Sequence, residues 1–302
     1  MTDADLPIID AHHHFWDLGH DRYPWLEEHV IPFRYGDYAS LRRHSYLVED
    51  FRRDHGSHNV VKSIHMEAEW DPRDPVAETR WLHELHDRTG WPHACVGQAW
   101  FGREDIAGVL AGHAGFPLVR SVRQKPAAAK SPDAFVAGAP GSMADPAFRA
   151  GYGLLARHGL HYDLQTPWWH LGEAADLARD FPDTLIVLNH TGLPSDRSAA
   201  GMDGWREAMA AFAAQPNTAV KISGIGLPGQ PWTPAAQSGV VLDTIRLFGP
   251  DRCMVASNFP VDSLCASYDE IFAGLKAITA GLPPADRRAV FHDTADRVYR
   301  PV

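Results

Sequence analysis

The sequence contains few cysteines and no long apolar run, and each absence excludes a class of protein. Only Cys95, Cys253 and Cys265 occur among 302 residues, and no two of them form a Cys-x-x-Cys pair. So small and odd-numbered a set of cysteines predicts reduced thiols and a cytoplasmic protein. No window approaches the roughly 20 apolar residues that a membrane-spanning helix needs, so no membrane partner is expected.

The chain also has no long basic run and no phosphate-binding glycine motif. Its formal net charge is −10, which argues against nucleic acid or an anionic membrane surface as the main partner. The first five residues include two aspartates and no basic residue, whereas a signal peptide begins with basic residues. No Gly-x-Gly-x-x-Gly follows the first apolar run, which argues against a dinucleotide-binding fold.

The chain does contain eight apolar, β-branched runs separated by segments long enough for helices. Such alternation is typical of βαβ units with a parallel sheet. Hydrophobic residues make up 45% of the chain, which is enough for a large core. The predicted strands are Ile8–His14, Val60–Ala68, Ala94–Phe101, Leu118–Gln124, His161–Thr166, Leu185–Thr191, Thr218–Gly224 and Arg252–Phe259.

Eight strand–helix units in about 300 residues favour an α/β fold of the (β/α)8 TIM-barrel type. Because no linker, repeat or low-complexity segment interrupts the pattern, we expect a single domain over residues 1–302. Two longer insertions, 17–44 and 125–146, follow predicted strands. Both are therefore predicted to lie over the C-terminal mouth of the barrel.

The first predicted strand ends in three consecutive histidines, from His12 to His14. Residues i and i+2 of a strand face the same side, so His12 and His14 are predicted to face one cavity. Imidazoles in such a place could bind a metal ion or carry protons.

Polar residues also lie at the C-terminal ends of the remaining seven predicted strands, where a barrel carries its active site. Tryptophans there could stack on a sugar ring or a flat lactone, and cations could bind a carboxylate or an oxyanion. The candidates for substrate binding are Glu67, Trp70, Gln98, Arg123, Gln165, Trp168 and Lys221, and those for catalysis are His12, His14, His190, Asn258 and Asp262.

Several motifs, in this order, resemble the amidohydrolase superfamily. They are the Asp-x-His-x-His that begins at Asp10, the Asn-His-Thr-Gly around His190, and the Ser-Asn-Phe-Pro around Asn258. Within the superfamily, the chain resembles the amidohydrolase-related branch that contains sugar-acid lactonases and 2-pyrone-4,6-dicarboxylate lactonase. The resemblance covers residues 8–299 and implies a distorted (β/α)8 barrel.

The resemblance matches His12, His14 and His190 to the metal-binding histidines of the family. It also exposes two departures. Gln165 stands where binuclear relatives have a histidine, which argues against a two-metal site. Asn258 stands where the family usually has an aspartate that activates water, and an amide cannot act as a general base. One Zn²⁺ or other divalent metal, or no metal at all, therefore remains open.

The resemblance implies a hydrolase, most specifically a lactonase that opens a sugar-derived, pyrone or muconate-type lactone. We predict that the three histidines surround the reacting carbonyl, that Asp262 or Glu67 takes a proton from water, and that Asn258 positions that water. The substrate is predicted to be a small anionic or polyhydroxylated molecule. A decarboxylase or hydratase of an unsaturated acid is the alternative enzyme, a non-catalytic binding protein is a third interpretation, and a homodimer is left open.

Overall fold

Eight parallel strands form one sheet whose strand order follows the chain from β1 to β8 in the computed structural model, which describes residues 3–20 and 22–302. Every neighbouring pair in that order is parallel. The strands are β1 (Ile8–His13), β2 (Val60–Met66), β3 (Ala94–Gln98), β4 (Val119–Gln124), β5 (His161–Leu164), β6 (Ile186–Leu188), β7 (Thr218–Ile222) and β8 (Cys253–Val255).

The seam between β8 and β1 is joined just beyond the end of β8. The backbone N–H of Asn258 donates to the carbonyl of His12 at 2.8 Å, and that of His14 donates to the carbonyl of Phe259 at 2.7 Å. The predicted (β/α)8 barrel is therefore confirmed. Its helices are α1 (Pro24–Glu27), α2 (Val48–His55), α3 (Ala77–Thr89), α4 (Ile106–Ala114), α5 (Pro146–Tyr152), α6 (Leu171–Asp180), α7 (Ala199–Ala213), α8 (Pro234–Phe248), α9 (Tyr268–Ile278), α10 (Pro284–Arg288) and α11 (Thr294–Tyr299), with a π-helical segment at Ala289–Asp293.

Most strand residues are buried on both faces of the sheet, as expected of parallel strands covered by helices, and the main exception is the start of β2, where Val61 is exposed. One apolar cluster lies between the sheet and the helices, and a second, smaller one fills the barrel. The smaller cluster includes Ile9, Ile64 and Val96 from the strands together with Val298 and Tyr299 from α11. The last helix thus packs into the core of the barrel, and the opposite, C-terminal end is left for a site.

An irregularity in β1 changes which residues face inwards. The pairing of β1 with β2 shifts register between Asp10 and His13. Ala11 belongs to the inner cluster, and the ring of the very next residue, His12, contacts those of His14 and His190. Two consecutive residues therefore face the barrel interior, which is how a β-bulge redirects a side chain.

Seven of the eight observed strands end earlier than predicted, whereas β4 ends at Gln124 as predicted. The largest difference is at β8, which stops at Val255 rather than Phe259, and β3 and β6 each stop three residues early, β6 at Leu188 rather than Thr191. His190 and Thr191 have φ of 55° and 51°, and Asn258 has φ of 56°. A residue with positive φ cannot continue a strand, so each of these segments turns sharply into the mouth.

The insertion at 17–44 lies over the mouth, as predicted. The indole N–H of Trp25 in α1 donates to the carbonyl of Ala68, just beyond β2, at 2.8 Å. Residues 31–35 of the same insertion line a cavity there. Across residues 3–20 and 22–302, none of the helices combines the length and the apolar character needed to cross a membrane.

Candidate active site

The mouth of the barrel contains a cavity of about 230 Å³, which we call the inner cavity. It lies between the strand ends and the insertion at 17–44. Its walls include predicted site residues that lie within β4 or beyond the ends of β1, β5, β6 and β8. It is lined by His14, Trp25, Ile31, Pro32, Phe33, Arg34, Tyr35, Ala68, Glu69, Arg123, Lys125, Gln165, His190, Asn258 and Val261.

The hydrogen bond of His14 fixes which of its ring nitrogens carries the proton. Its Nδ1 lies 2.9 Å from the carbonyl oxygen of Met66. A carbonyl can only accept, so Nδ1–H donates and Nε2 keeps its lone pair. Burial, and next the positive charge of Arg123, hold the pKa of His14 well below its usual value. His14 is therefore a neutral imidazole that can accept a proton in the cavity.

His190 enters the same cavity from the turn after β6. Its Nδ1 shares a hydrogen bond of 2.9 Å with the hydroxyl of Ser223. Burial, and then the charge of Arg34, lower the pKa of His190 well below its usual value. Gly224 makes room for this ring, because a Cβ at that position would lie 2.5 Å from Nδ1 of His190.

His12 lies with these two rings but is completely buried. Its ring centroid is 5.1 Å from that of His14 and 4.5 Å from that of His190. Neither ring nitrogen of His12 has a hydrogen-bond partner within the described part of the chain. Burial is also the main reason that the pKa of His12 is lowered well below its usual value. The predicted convergence of three imidazoles is thus observed, with His12 behind the other two.

Asn258 lines the inner cavity, and Asp262 lies behind Asn258 and accepts a hydrogen bond from it. The amide of Asn258 donates to Oδ1 of Asp262 at 2.7 Å, and the hydroxyl of Tyr35 donates to the same oxygen at 2.9 Å. Asp262 is 2% exposed, does not line the inner cavity, and has a pKa that burial raises to about 6. Its geometry suits a residue that orients Asn258.

Arg123 organises the opposite wall through three contacts. Its Nε forms an ion pair of 2.5 Å with Oε1 of Glu67, and both side chains are almost fully buried. Its other two nitrogens donate to the backbone carbonyl of Glu67 at 2.7 Å and to Oε1 of Gln165 at 3.2 Å. Because Glu67 is bound to a guanidinium, it is not a free base.

A second cavity, of about 390 Å³, adjoins the first, and we call it the outer cavity. The predicted residues Glu67, Trp70 and Gln98 line it, and Arg123 lines both cavities. Its full lining is Pro24, Trp25, His29, Ile31, Glu67, Glu69, Trp70, Pro72, Gln98, Trp100, Arg123, Gln124 and Lys125.

Two predicted substrate-binding residues lie away from both cavities. Lys221 is fully buried with its Nζ 2.8 Å from Oδ1 of Asp163, and Tyr299 also donates to that carboxylate. Trp168 packs against α7, where a Cβ on Gly204 would lie 2.7 Å from its ring. Neither lines the inner or the outer cavity.

Arg34 and Tyr35 were not predicted as site residues from the sequence. Both lie in the insertion at 17–44 and line the inner cavity. Arg34 donates to the carbonyl of Gly226 at a long 3.4 Å and lies over the ring of Tyr35 at 5.1 Å. Within residues 3–20 and 22–302, no carboxylate lies within ion-pair distance of Arg34. The only available signal was that the insertion would lie over the mouth.

The three imidazoles have the chemistry of a zinc site but not its arrangement. Neutral imidazoles are good zinc ligands, and both nitrogens of His12 are without partners. However, in the part of the chain that the structure describes, no three His, Cys, Asp or Glu side chains are arranged to hold a metal ion. Metal binding by His12, His14 and His190 stays a prediction.

Known proteins are similar to this chain over nearly its whole length. It is 42% identical to the uncharacterized protein y4mH of Sinorhizobium fredii, covering 98% of this chain and 99% of that protein. An L-fucono-1,5-lactonase of Burkholderia ambifaria is 25% identical, with 97% and 95% covered. A crystal structure of a Burkholderia multivorans amidohydrolase with bound zinc superposes with a TM-score of 0.78 at 25% identity, covering 98% of this chain and 99% of the other.

The family comparison agrees with the motifs and the barrel. Residues 9–300 match the Amidohydro_2 family, described as amidohydrolase. Apart from Ile8, the first residue of β1, this range includes all eight strands, and it includes every histidine of the inner cavity. The chain is therefore an enzyme that belongs to the amidohydrolase family.

Proposed function

We propose that the protein is a lactonase that opens a sugar-derived lactone by attack of water on the carbonyl. The observation that carries this proposal is the state of His14, a neutral imidazole whose Nε2 lone pair is free at the inner cavity. The L-fucono-1,5-lactonases of two Burkholderia species, which are 25% and 27% identical to this chain, support the choice of a sugar-derived lactone.

His14 acts as the general base in this proposal. Its Nε2 takes a proton from water as the water oxygen bonds to the lactone carbonyl carbon. Asn258 positions that water, since its amide nitrogen is committed to Asp262 and its amide oxygen is left to accept a hydrogen bond. This role for an imidazole replaces the predicted roles of Asp262 and Glu67 as bases, because both carboxylates are already engaged.

Arg34 stabilises the negative charge that develops on the carbonyl oxygen. It lines the same cavity as His14 and His190, and no carboxylate of the described residues lies within ion-pair distance of its guanidinium. Guanidinium donors aimed at a developing oxyanion lower the barrier because they are oriented before the reaction starts. The tetrahedral intermediate then expels the ring oxygen, which receives the proton held on His14. The product is a hydroxy acid whose carboxyl group releases one proton to solvent.

A screen of lactones with a pH indicator tests this function. Purified protein should acidify solutions of aldonolactones faster than the uncatalysed reaction, with one proton released per lactone consumed. Pyrone dicarboxylates and unsaturated acids are the comparison substrates. Release of carbon dioxide from an unsaturated acid, or hydration of its double bond without acidification, together with no effect on any lactone, would contradict the proposal.

The rate should fall as the pH drops below about 6. Burial raises the pKa of Asp262 to about 6, and its ionised form holds Asn258 and Tyr35. Protonation weakens that acceptor, whereas His14 and His190 stay neutral because burial lowers their pKa values. A profile of kcat/KM against pH should therefore show an acidic limb near pH 6 in the wild type.

The substitution Asp262→Asn identifies the group that causes this limb. Asp10, whose pKa burial also raises to about 6, is unchanged in the variant. We expect Asp262→Asn to have low kcat/KM at every pH and no limb near 6. Because burial raises the pKa of Asp262 from 3.8 to about 6, protonated Asp262 stabilises the fold below pH 3.8, and this contribution is lost as the pH rises through 6. At pH 8 the wild type no longer has this contribution, so Asp262→Asn should not lower the unfolding temperature there. A limb that survives at pH 6 would assign it to another group.

Arg34→Gln should lower kcat about 10- to 100-fold, because it removes a charged donor from the oxyanion while retaining a polar side chain. Arg43→Gln, an exposed change in the same insertion, is the matched control and should stay within about twofold of wild type. Steady-state kinetics on the best aldonolactone would measure both. An increase in KM alone, with kcat unchanged, would show that Arg34 binds substrate without stabilising the transition state.

Removal of metal should leave turnover largely intact. No three potential ligands among residues 3–20 and 22–302 are arranged to hold an ion, and the proposed base and oxyanion donor are side chains. We expect protein dialysed against a chelator to keep at least half of its kcat, with metal content measured on the same sample. Loss of turnover that is restored by zinc would overturn this expectation.

A further inference from the structure

We propose that the outer cavity binds a second sugar ring, so that the substrate is a lactone with a glycosyl substituent. This inference rests on the proposed lactonase function, which assigns the reacting ring to the inner cavity. The two cavities share Trp25, Ile31, Glu69, Arg123 and Lys125 in their walls. One molecule can therefore extend from one into the other.

The aromatic lining of the outer cavity suits a sugar ring. Trp70 and Trp100 both line it, and Trp25 lies at the boundary with the inner cavity. The C–H groups on one face of a pyranose form an apolar surface that packs against an indole. Each indole is also fixed in place, because the guanidinium of Arg22 lies 5.1 Å from the ring centre of Trp70 and that of Arg103 lies 5.8 Å from Trp100.

The charges in this cavity favour an uncharged ligand. Its two cations are each paired with a carboxylate, Arg123 with Glu67 and Lys125 with Glu69. An anionic ring, such as an aromatic acid, would have to compete with those carboxylates. A neutral polyol can instead donate to the carboxylates and accept from the cations without breaking the ion pairs.

Gln98 adds a polar group that has an unmet hydrogen bond. Its side chain lies in the wall of the outer cavity and is 4% exposed. Its Oε1 has no partner among the residues that the structure describes. A buried acceptor without a donor is costly, and a ligand hydroxyl removes that cost. The outer cavity thus combines indole rings with an unsatisfied amide, the combination expected for carbohydrate.

Kinetics on matched lactones test the proposal. The probes are glucono-1,5-lactone and its 4-O-glucosyl derivative, cellobiono-1,5-lactone. With wild type, we expect kcat/KM to be at least 10-fold higher for the disaccharide lactone, mainly through a lower KM. Trp100→Ala and Gln98→Leu should each reduce that ratio towards one. The control is Trp169→Ala, a half-buried tryptophan of the mouth that lines neither cavity, and it should keep the wild-type ratio. The proposal would be overturned if wild type had the same kcat/KM for both lactones, or if Trp169→Ala reduced the ratio as much as Trp100→Ala does.

A binding measurement separates this proposal from the lactonase proposal. Titration of wild type with cellobiose and with glucose, followed by calorimetry, needs no reaction. We expect cellobiose to bind at least 10-fold more tightly, and Trp100→Ala to remove the difference. Thermal unfolding of each variant checks that it is folded. Tight cellobiose binding without lactone opening would keep the sugar site and reject the lactonase, whereas lactone opening without that preference would do the reverse.

Discussion

Replacing His14 with asparagine should lower kcat for lactone opening by about 10²- to 10⁴-fold, the usual contribution of a general base. The substitution is chosen for its shape. The amide nitrogen of asparagine occupies the place of Nδ1, so the hydrogen bond to the carbonyl of Met66 can be kept. What disappears is Nε2, the only atom of this side chain that we assign to the chemistry.

Stopped-flow or steady-state kinetics on an aldonolactone would measure this effect, and thermal unfolding would confirm that the variant is folded. His20→Asn is the control, because this histidine lies on the segment after β1 with 52% of its side chain exposed. The control should keep kcat within about twofold of wild type. If His14→Asn keeps more than a tenth of the wild-type kcat, His14 is not the base and another group must take the proton.

The substitution Gly224→Ala should abolish most activity, although Gly224 itself has no side chain that could take part in the reaction. The new Cβ would lie 2.5 Å from Nδ1 of His190, at the position now used for the hydrogen bond to Ser223. The ring must move, and the inner cavity loses one of its imidazoles. We expect kcat to fall at least 100-fold.

Gly229→Ala separates this effect from backbone strain. Gly224 and Gly229 have φ of +58° and +67°, so alanine is strained at both, but nothing lies within 4 Å of a Cβ at Gly229. Each substitution should cost roughly 1–2 kcal/mol of folding free energy from its positive φ. Urea unfolding should show the backbone cost in both proteins, with an added cost in Gly224→Ala from the displaced ring, and kinetics should show a loss of activity in Gly224→Ala alone. An equal loss of kcat in both would mean that the position of His190 is unimportant.

The fold could be predicted from the sequence because parallel strands covered on both faces are continuous apolar runs. All eight predicted strands are present in the predicted order. Their ends could not be predicted as well. The predicted strands extend to Thr191 and Phe259, whose residue types are common in strands, but positive φ values at His190, Thr191 and Asn258 turn both segments into the mouth. Backbone strain of this kind is imposed by the surrounding structure and is typical of functional sites.

The site was predictable where it depends on strand ends and unpredictable where it depends on loops. His12, His14 and His190 meet because barrel strands deliver their ends to one place. In contrast, Lys221 also lies on a strand, but it pairs with Asp163 in the interior. Arg34 could not be identified, because a loop has no periodicity that tells which side chain faces a cavity.

The engagement of Asp262 was equally hidden from the sequence. Its distance of four residues from Asn258 predicts that it replaces the missing aspartate of the family. The structure instead places Asp262 behind Asn258, with Tyr35 from the insertion as a second donor to the same oxygen. The contact with Tyr35 spans 227 positions of the chain, and no local pattern predicts such a contact.

Isotope labelling of the product is the most direct test of whether water attacks the lactone carbonyl. The enzyme is allowed to consume an aldonolactone in H₂¹⁸O under conditions where the uncatalysed reaction is negligible, and the product is analysed by mass spectrometry. Attack on the carbonyl carbon predicts one ¹⁸O atom in the carboxylate and none in the new hydroxyl group. Label in the hydroxyl group, or a product formed without any label from water, would contradict it.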